Sequence, residues 1–166
     1  MSILDDIKNN SIDELHLSNL PEDYFGTAAE FEEAMKDNTS IKTVIFDGDF
    51  LVCLKAEDRA IVVSCVGKLP NVEKVVLKDS RLMVGVCMTN LVKNAPKLND
   101  LSMVNCTLQG VPEDFDKFRD ALVETSGMKL LDITDCFAPN SDVNLDKVME
   151  SLRESLSITI TGTGGK

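Results

Sequence analysis

Two aspartates that follow an apolar run are the residues of this chain best suited to chemistry. The stretch TVIFDGDFLV (43–52) places Asp47 and Asp49 on either side of Gly48. A buried strand that delivers two carboxylates is typical of phosphoryl-transfer sites, in which one group attacks phosphorus and the other moves the proton. The first hypothesis is therefore a Mg²⁺-dependent phosphoryl-transfer enzyme that uses Asp47 and Asp49.

The residues around this pair argue against that hypothesis. The haloacid dehalogenase pattern continues D-x-D with Gly-Thr, whereas Phe-Leu follows here, and no GDxxND-like metal segment comes later. The same six-residue unit also recurs, because FDGDFL (46–51) aligns with LKDSRL (77–82) and with MVNCTL (103–108). A catalytic pair should occur once. The recurrence favours a turn that leaves a strand and is capped by Asp49.

This unit belongs to an internal repeat. Apolar residues return in an L-x-x-L-x-L arrangement, with successive starts 29, 31, 26, 30 and 27 residues apart. That period predicts strand–helix units, each of which buries its apolar face by stacking on its neighbours. The triplets are Ile12/Leu15/Leu17, Ile41/Val44/Phe46, Val72/Val75/Leu77, Leu98/Leu101/Met103, Met128/Leu131/Ile133 and a degraded copy, Ser155/Ile158/Ile160.

Helical patterns separate the triplets. Thr27 and Glu30 form a candidate capping box, and Pro112 suits the first turn of another helix. The segment AIVVSCV (60–66) is ambiguous, because its place in the repeat predicts a helix while its β-branched residues favour a strand. We predict a helix there.

The repeats resemble the ribonuclease-inhibitor-like class of leucine-rich repeat proteins over essentially the whole chain. Cys106 and Cys136 stand at the N/C position of the motif L-x-x-L-x-L-x-x-N/C-x-L, where a small polar side chain is expected to bond backbone groups of the turn. The phrases FEEAMKDNTSIKTVIF (31–46) and NLVKNAPKLNDLSM (90–103) are similar to the helix–loop–strand junctions of that class.

This resemblance implies an α/β solenoid of about five to six repeats, with a parallel β-sheet on the concave side and helices on the convex side. We expect a single leucine-rich repeat domain over residues 1–166. Its first part, 1–11, is expected to be a capping helix, and its last strand should lie near 156–161.

The start of the chain is also similar to the leucine-rich repeat domain of tropomodulin. ILDDIKNNSIDELHLSNL (3–20) followed by EFEEAMKDNTSIKTV (30–44) carries this resemblance. It implies a cytoskeletal module that caps actin pointed ends. The tropomyosin-binding extension of that family has no counterpart in the sequence.

The charge and hydropathy of the chain limit the kinds of partner and the cellular compartments that we expect. The net charge of −11 argues against nucleic acid or an anionic membrane as a partner. Residues 1–40 carry a balance of −8, against −3 for the rest. No apolar run approaches the roughly 20 residues of a membrane span, and the N-terminus has acids where a secretory signal has bases. We therefore expect a cytoplasmic protein, or a nuclear one.

Metal, cofactor and disulfide chemistry find no support in the sequence. His16 is the single histidine, and there is no CxxC pair and no Gly-rich phosphate loop. We expect no cofactor, no metal and no catalysis, with the cysteines as free thiols. These are Cys53, Cys65, Cys87, Cys106 and Cys136.

The expected function is a non-catalytic scaffold or adaptor that binds a protein through the concave face. In each strand the triplet points to the core, so the intervening residues face outward. Ile45, Val76 and Val104 should form an apolar centre inside a charged rim, as interfaces often do. The predicted partner-binding residues are Ile45, Asp47, Lys74, Val76, Lys78, Asp79, Val104, Asp132 and Asp135.

The repeat also predicts which residues line up across the strands. The central exposed column is predicted to be His16, Ile45, Val76, Ser102, Asp132 and Thr159.

The last strand, ITIT (158–161), should end the sheet with an unprotected edge. A homodimer through that edge is therefore a further expectation.

Overall fold

A computed structural model shows a mixed α/β protein with a parallel sheet. It describes residues 3–17, 28–48, 55–95, 97–124, 128–155 and 159–161. Over these ranges no helix has the length and apolar character needed to cross a membrane. The actual helix positions agree with the predicted helices where the two can be compared, and Thr27 of the candidate capping box lies outside the described residues.

The strands of the main sheet follow one another in chain order, and each pair is parallel. The order is β1-β2-β3-β5-β7-β8, while β4 and β6 form a separate small parallel ladder that Phe137 extends through a bridge to Thr107. The strands are β1 (Glu14–Leu17), β2 (Thr43–Asp47), β3 (Lys74–Lys78), β4 (Arg81–Met83), β5 (Asp100–Val104), β6 (Thr107–Gln109), β7 (Leu130–Thr134) and β8 (Thr159–Thr161).

Helices lie between successive strands of the main sheet, and helices next in sequence contact each other. The segment 60–66 is helical, as its place in the repeat predicts, because burial of Val62 and Val66 outweighs the strand preference of β-branched residues. The helices are α1 (Ile3–Lys8), α2 (Ala28–Met35), α3 (Ala56–Gly67), α4 (Thr89–Asn94), α5 (Pro112–Glu124) and α6 (Leu145–Ser155), and a π-helical turn (Val84–Met88) precedes α4.

The core is one continuous cluster between the sheet and the helices. Burial alternates along β2, β3, β5 and β7, so one face of the sheet is buried and the other keeps accessible surface. The first five apolar triplets supply the buried strand positions as predicted. Their strand members are Leu15, Leu17, Val44, Phe46, Val75, Leu77, Leu101, Met103, Leu131 and Ile133.

The turns that follow β2, β3, β5 and β7, which we name the exit turns, share one backbone conformation. Gly48, Asp79, Asn105 and Asp135 stand at equivalent positions with φ of 69°, 51°, 53° and 54°. This left-handed region is accessible to Gly and is tolerated by Asn and Asp. The recurring unit of the sequence is therefore a repeated turn. Asp49, the second carboxylate of the phosphoryl-transfer hypothesis, lies outside the described residues.

The predicted register is wrong at the last strand. Thr161, and not Thr159, pairs with Asp132 of the central column, and Thr159 pairs with Leu130. The degraded sixth triplet caused this error, since its first member, Ser155, is the last residue of α6. Of the predicted last strand, residues 156–158 lie outside the described residues.

Candidate functional site

The candidate site is the accessible face of the main sheet, which we name the open face. Its side chains are half-buried or exposed and alternate with the buried ones. Strand register aligns them in three rows across β1, β2, β3, β5 and β7. The rows are Glu14/Thr43/Lys74/Asp100/Leu130, His16/Ile45/Val76/Ser102/Asp132 and Asp47/Lys78/Val104/Thr134.

The predicted apolar centre lies on this face. Ile45 and Val76 are direct cross-strand partners and are both half-buried. Val104 lies in the next row, opposite Lys78. Half-buried Leu130, opposite Asp100, adds an apolar residue that the sequence analysis missed. The same alternation that predicts a buried Leu131 also predicts that Leu130, the residue before it, lies on the open face.

One ion pair and one histidine–carboxylate hydrogen bond cross between strands of the open face. Lys74 Nζ lies 3.8 Å from Asp100 Oδ2, its direct cross-strand partner. His16 Nε2 lies 3.3 Å from Asp47 Oδ2, a diagonal neighbour on the adjacent strand. Both contacts are solvent-accessible, and pairs of this kind contribute about 0–1 kcal/mol each to stability. Asp47, proposed as a nucleophile in the phosphoryl-transfer hypothesis, is thus a contact of the sole histidine.

Hydrogen bonds orient two carboxylates, one in the middle row of the open face and one on an exit turn. Asp132 accepts bonds from Ser102 Oγ at 3.4 Å and from Thr134 Oγ1. Asp79 accepts a bond of 2.7 Å from Asn105 Nδ2, which joins two neighbouring exit turns. Asp79 and Asp135 are exposed on these turns. Of the predicted rim, Asp47, Lys78, Asp79 and Asp135 lie at or just beyond the strand ends, whereas Lys74 begins β3 and Asp132 lies in the middle row.

The polar side chain predicted to bond turn backbone does so at three successive exit turns. Ser80 Oγ donates to the carbonyls of Gly48 (2.6 Å) and Lys78 (2.8 Å). Cys106 Sγ donates to the Leu77 carbonyl and Cys136 Sγ to the Met103 carbonyl, both at 3.2 Å. Each side chain thus ties its own turn to the preceding repeat.

The cysteine thiols that the structure describes are buried and have a structural role in the core and the exit turns. Cys65, Cys106 and Cys136 are free and no more than 7% exposed. Burial, with Glu32 nearby, raises the pKa of the Cys65 thiol to about 11, and the adjacent Cys106 thiol, together with burial, raises the pKa of Cys136. A thiol that resists ionisation is a poor nucleophile, which applies to Cys65 and Cys136, whereas the contact with Cys136 lowers the pKa of the Cys106 thiol. Cys53 and the side chain of Cys87 lie outside the described part of the chain.

No metal centre is formed within the part of the chain that the structure describes, where no three His, Cys, Asp or Glu residues cluster suitably. No protein-family model matches the chain, and no curated protein resembles it closely enough to count as a match. The open face and its rim therefore carry the functional interpretation.

Proposed function

We propose that the chain is a leucine-rich repeat solenoid of the ribonuclease-inhibitor-like class, with the open face on its concave side. The sequential order of the parallel strands supports this proposal. So do the recurrent left-handed exit turns and the equivalent roles of Ser80, Cys106 and Cys136. In such an array each repeat contacts mainly its neighbours, which agrees with helix contacts between elements next in sequence.

We further propose that it is a non-catalytic scaffold or adaptor that binds a protein partner through the open face. One observation carries this function: an all-parallel sheet keeps one face accessible in the described residues. Parallel sheets are normally covered on both faces, so an uncovered one offers ordered, partly apolar surface to another molecule. Ile45 and Val76 supply the apolar centre, and rim carboxylates surround it, as expected for an interface.

The actin-capping role stays a prediction that derives from the resemblance of residues 3–20 and 30–44 to tropomodulin. Co-sedimentation of the protein with filamentous actin tests it directly. The cytoplasmic or nuclear location and the homodimer likewise stay predictions. The dimer would use β8, a short strand at the end of the sheet.

A capture experiment with two matched double variants tests the binding function. Ile45→Lys/Val76→Lys places two charges on the open face, while Val111→Lys/Val123→Lys places two charges at exposed apolar positions elsewhere, 48% and 51% accessible. Immobilised wild type and both variants are exposed to the same whole-cell extract, and bound proteins are quantified. We expect partners that the wild type and the control retain and the open-face variant loses. Partners that both variants retain equally would contradict the proposal.

A further inference from the structure

The charged side chains of the open face are mostly acidic, with Glu14 on β1 and Asp47 on β2 as well as the acids of β5 and β7. The β3 strand contributes Lys74 and Lys78, whereas the strand residues of β5 and β7 include acids and no Lys or Arg. We infer that the open face takes a basic amphipathic segment of a partner protein, whose cationic side chains meet this acidic half. This inference rests on the proposed function and specifies the chemistry of the partner. The acidic half consists of Asp100, Asp132 and Asp135.

Two of these carboxylates are close enough to act together. Asp100 and Asp132 lie one strand apart and two residues along, which places their Cα atoms about 8 Å from each other. That separation is comparable with the Debye length of about 8 Å at physiological ionic strength, so the charges repel one another. A cationic segment would relieve this repulsion, whereas an acidic one would increase it.

The acidic half also offers unused acceptor capacity. Lys74 approaches only Oδ2 of Asp100, while Oδ1 of the same carboxylate is buried and has no hydrogen-bond partner among the described residues. That buried oxygen is out of reach of a docked side chain, so Asp100 acts on a partner through its charge. Asp135 is exposed on the exit turn after β7. An arginine side chain has the donors to bind that carboxylate.

The size of the face indicates a segment and not a globular domain. The five strands that form the open face, β1, β2, β3, β5 and β7, have four or five residues each and span about 19 Å by about 16 Å, or about 300 Å² in projection. A standard interface buries about 800 Å² on each partner. A helix of about 16 residues is about 24 Å long and spans the strands. It needs an apolar stripe to cover Ile45, Val76 and Leu130, hence its amphipathic character.

The test uses a synthetic peptide of about 16 residues made of Leu and Arg in an amphipathic helical pattern, with a matched peptide in which every Arg is Glu. The ¹⁵N-labelled protein is titrated with each while backbone amide shifts are recorded. We expect the Arg peptide to shift amides of β5, β7 and their exit turns, with an affinity that falls as salt rises. Asp132→Asn/Asp135→Asn should weaken it at least about fivefold, and the matched control Glu33→Gln/Asp37→Asn on the helical side less than about twofold.

Shifts confined to α1 and α2, the most acidic part of the chain, would overturn the inference. Equal weakening by both variants, or equal binding of the Glu peptide, would do the same. A concentration-dependent dimer that occupies the face and excludes the peptide would assign the face to a second copy. If extract partners still require Ile45 and Val76 while the Arg peptide fails to bind, the proposed function stands and the basic partner does not.

Discussion

Asn105 donates a hydrogen bond of 2.7 Å to Asp79, and the two residues occupy the same left-handed position in neighbouring exit turns, at φ of 53° and 51°. The backbone of one turn also reaches the next, because the Asp79 amide donates to the Val104 carbonyl at 3.0 Å and the Asn105 amide to the Thr134 carbonyl at 2.8 Å. Stacked turns of this kind hold the strands in register and fix the rim of the open face.

Substitution of Asn105 separates the backbone requirement from the hydrogen bond. Asn105→Ala removes the bond to Asp79. Alanine also disfavours positive φ, because it has a β-carbon but no polar side chain to form a local hydrogen bond. The free energy of unfolding should therefore fall by about 1–2 kcal/mol. Asn105→Gly removes the same bond but accepts this φ, so it should cost less than about 1 kcal/mol. Urea denaturation of both variants measures the difference. Equal losses would show that the left-handed turn contributes nothing.

Ser80 should tolerate cysteine better than alanine. Ser80 is 3% exposed and its hydroxyl contacts the carbonyls of Gly48 and Lys78. The Lys78 carbonyl keeps the Gly48 amide as a donor, so Ser80→Ala deprives chiefly the Gly48 carbonyl and should cost about 1–2 kcal/mol. Ser80→Cys reproduces the arrangement at Cys106 and Cys136 and should cost less than half as much. Thermal and urea unfolding of the two variants decide this. A cysteine variant as unstable as the alanine variant would mean that the three turns are not equivalent.

Much of the fold was predictable because buried residues recur at the same positions in each repeat of the sequence. The triplet spacing identifies Val44 and Phe46 as buried and Ile45 as accessible, and the same offset holds in β3, β5 and β7. Register then follows, because equivalent residues of stacked repeats must be neighbours. The nine predicted site residues therefore all fall on the open face or its exit turns.

Features that depend on particular contacts between neighbouring repeats were not predictable. The three-residue strands β4 and β6 are too short to show a period. The π-helical turn owes its position to tertiary packing, for a β-carbon on Gly85 would lie 2.4 Å from Asp114 Oδ1. Ion pairs such as Lys74 with Asp100 require the register, which the sequence alone misplaced at β8.

The buried Cys65 thiol should react slowly in the folded protein. With a pKa of about 11, only about one Cys65 in a thousand is a thiolate at pH 8, against about one in ten for an unperturbed thiol of pKa about 9. Iodoacetamide labelling followed by trypsin isolates this residue in the peptide AIVVSCVGK (60–68). We expect labelling at least a hundredfold slower in the native protein than in urea. Comparable rates in both states would place the thiol in solvent.

The same pKa predicts how stability changes at alkaline pH. Unfolded protein loses the Cys65 proton near pH 9, whereas folded protein keeps it to about pH 11. Ionisation then favours the unfolded state, so the free energy of unfolding should decrease as pH rises through this window. Cys65→Ala should show a shallower decrease than wild type in urea denaturation between pH 8.5 and 10.5. Parallel curves would rule out a buried, protonated Cys65.

Adjacent positions on β3 test which face is covered. Val75 is fully buried, so Val75→Asp places an uncompensated charge in the core and should unfold the protein. Val76→Asp lies on the open face and should cost no more than about 1–2 kcal/mol. Circular dichroism and urea denaturation compare the two. A Val76 variant as damaged as the Val75 variant would mean that the open face is covered in solution.

The most direct test of partner binding through the open face is site-specific photo-crosslinking in whole-cell extract. A benzophenone amino acid replaces Val76 on the open face in one sample and Val123 on α5 in another, and the crosslinked proteins are identified by mass spectrometry. We predict adducts with a defined protein from position 76 that are absent from position 123 and are lost when Ile45 is also changed to Lys. Adducts from position 123 alone would contradict the proposed binding surface.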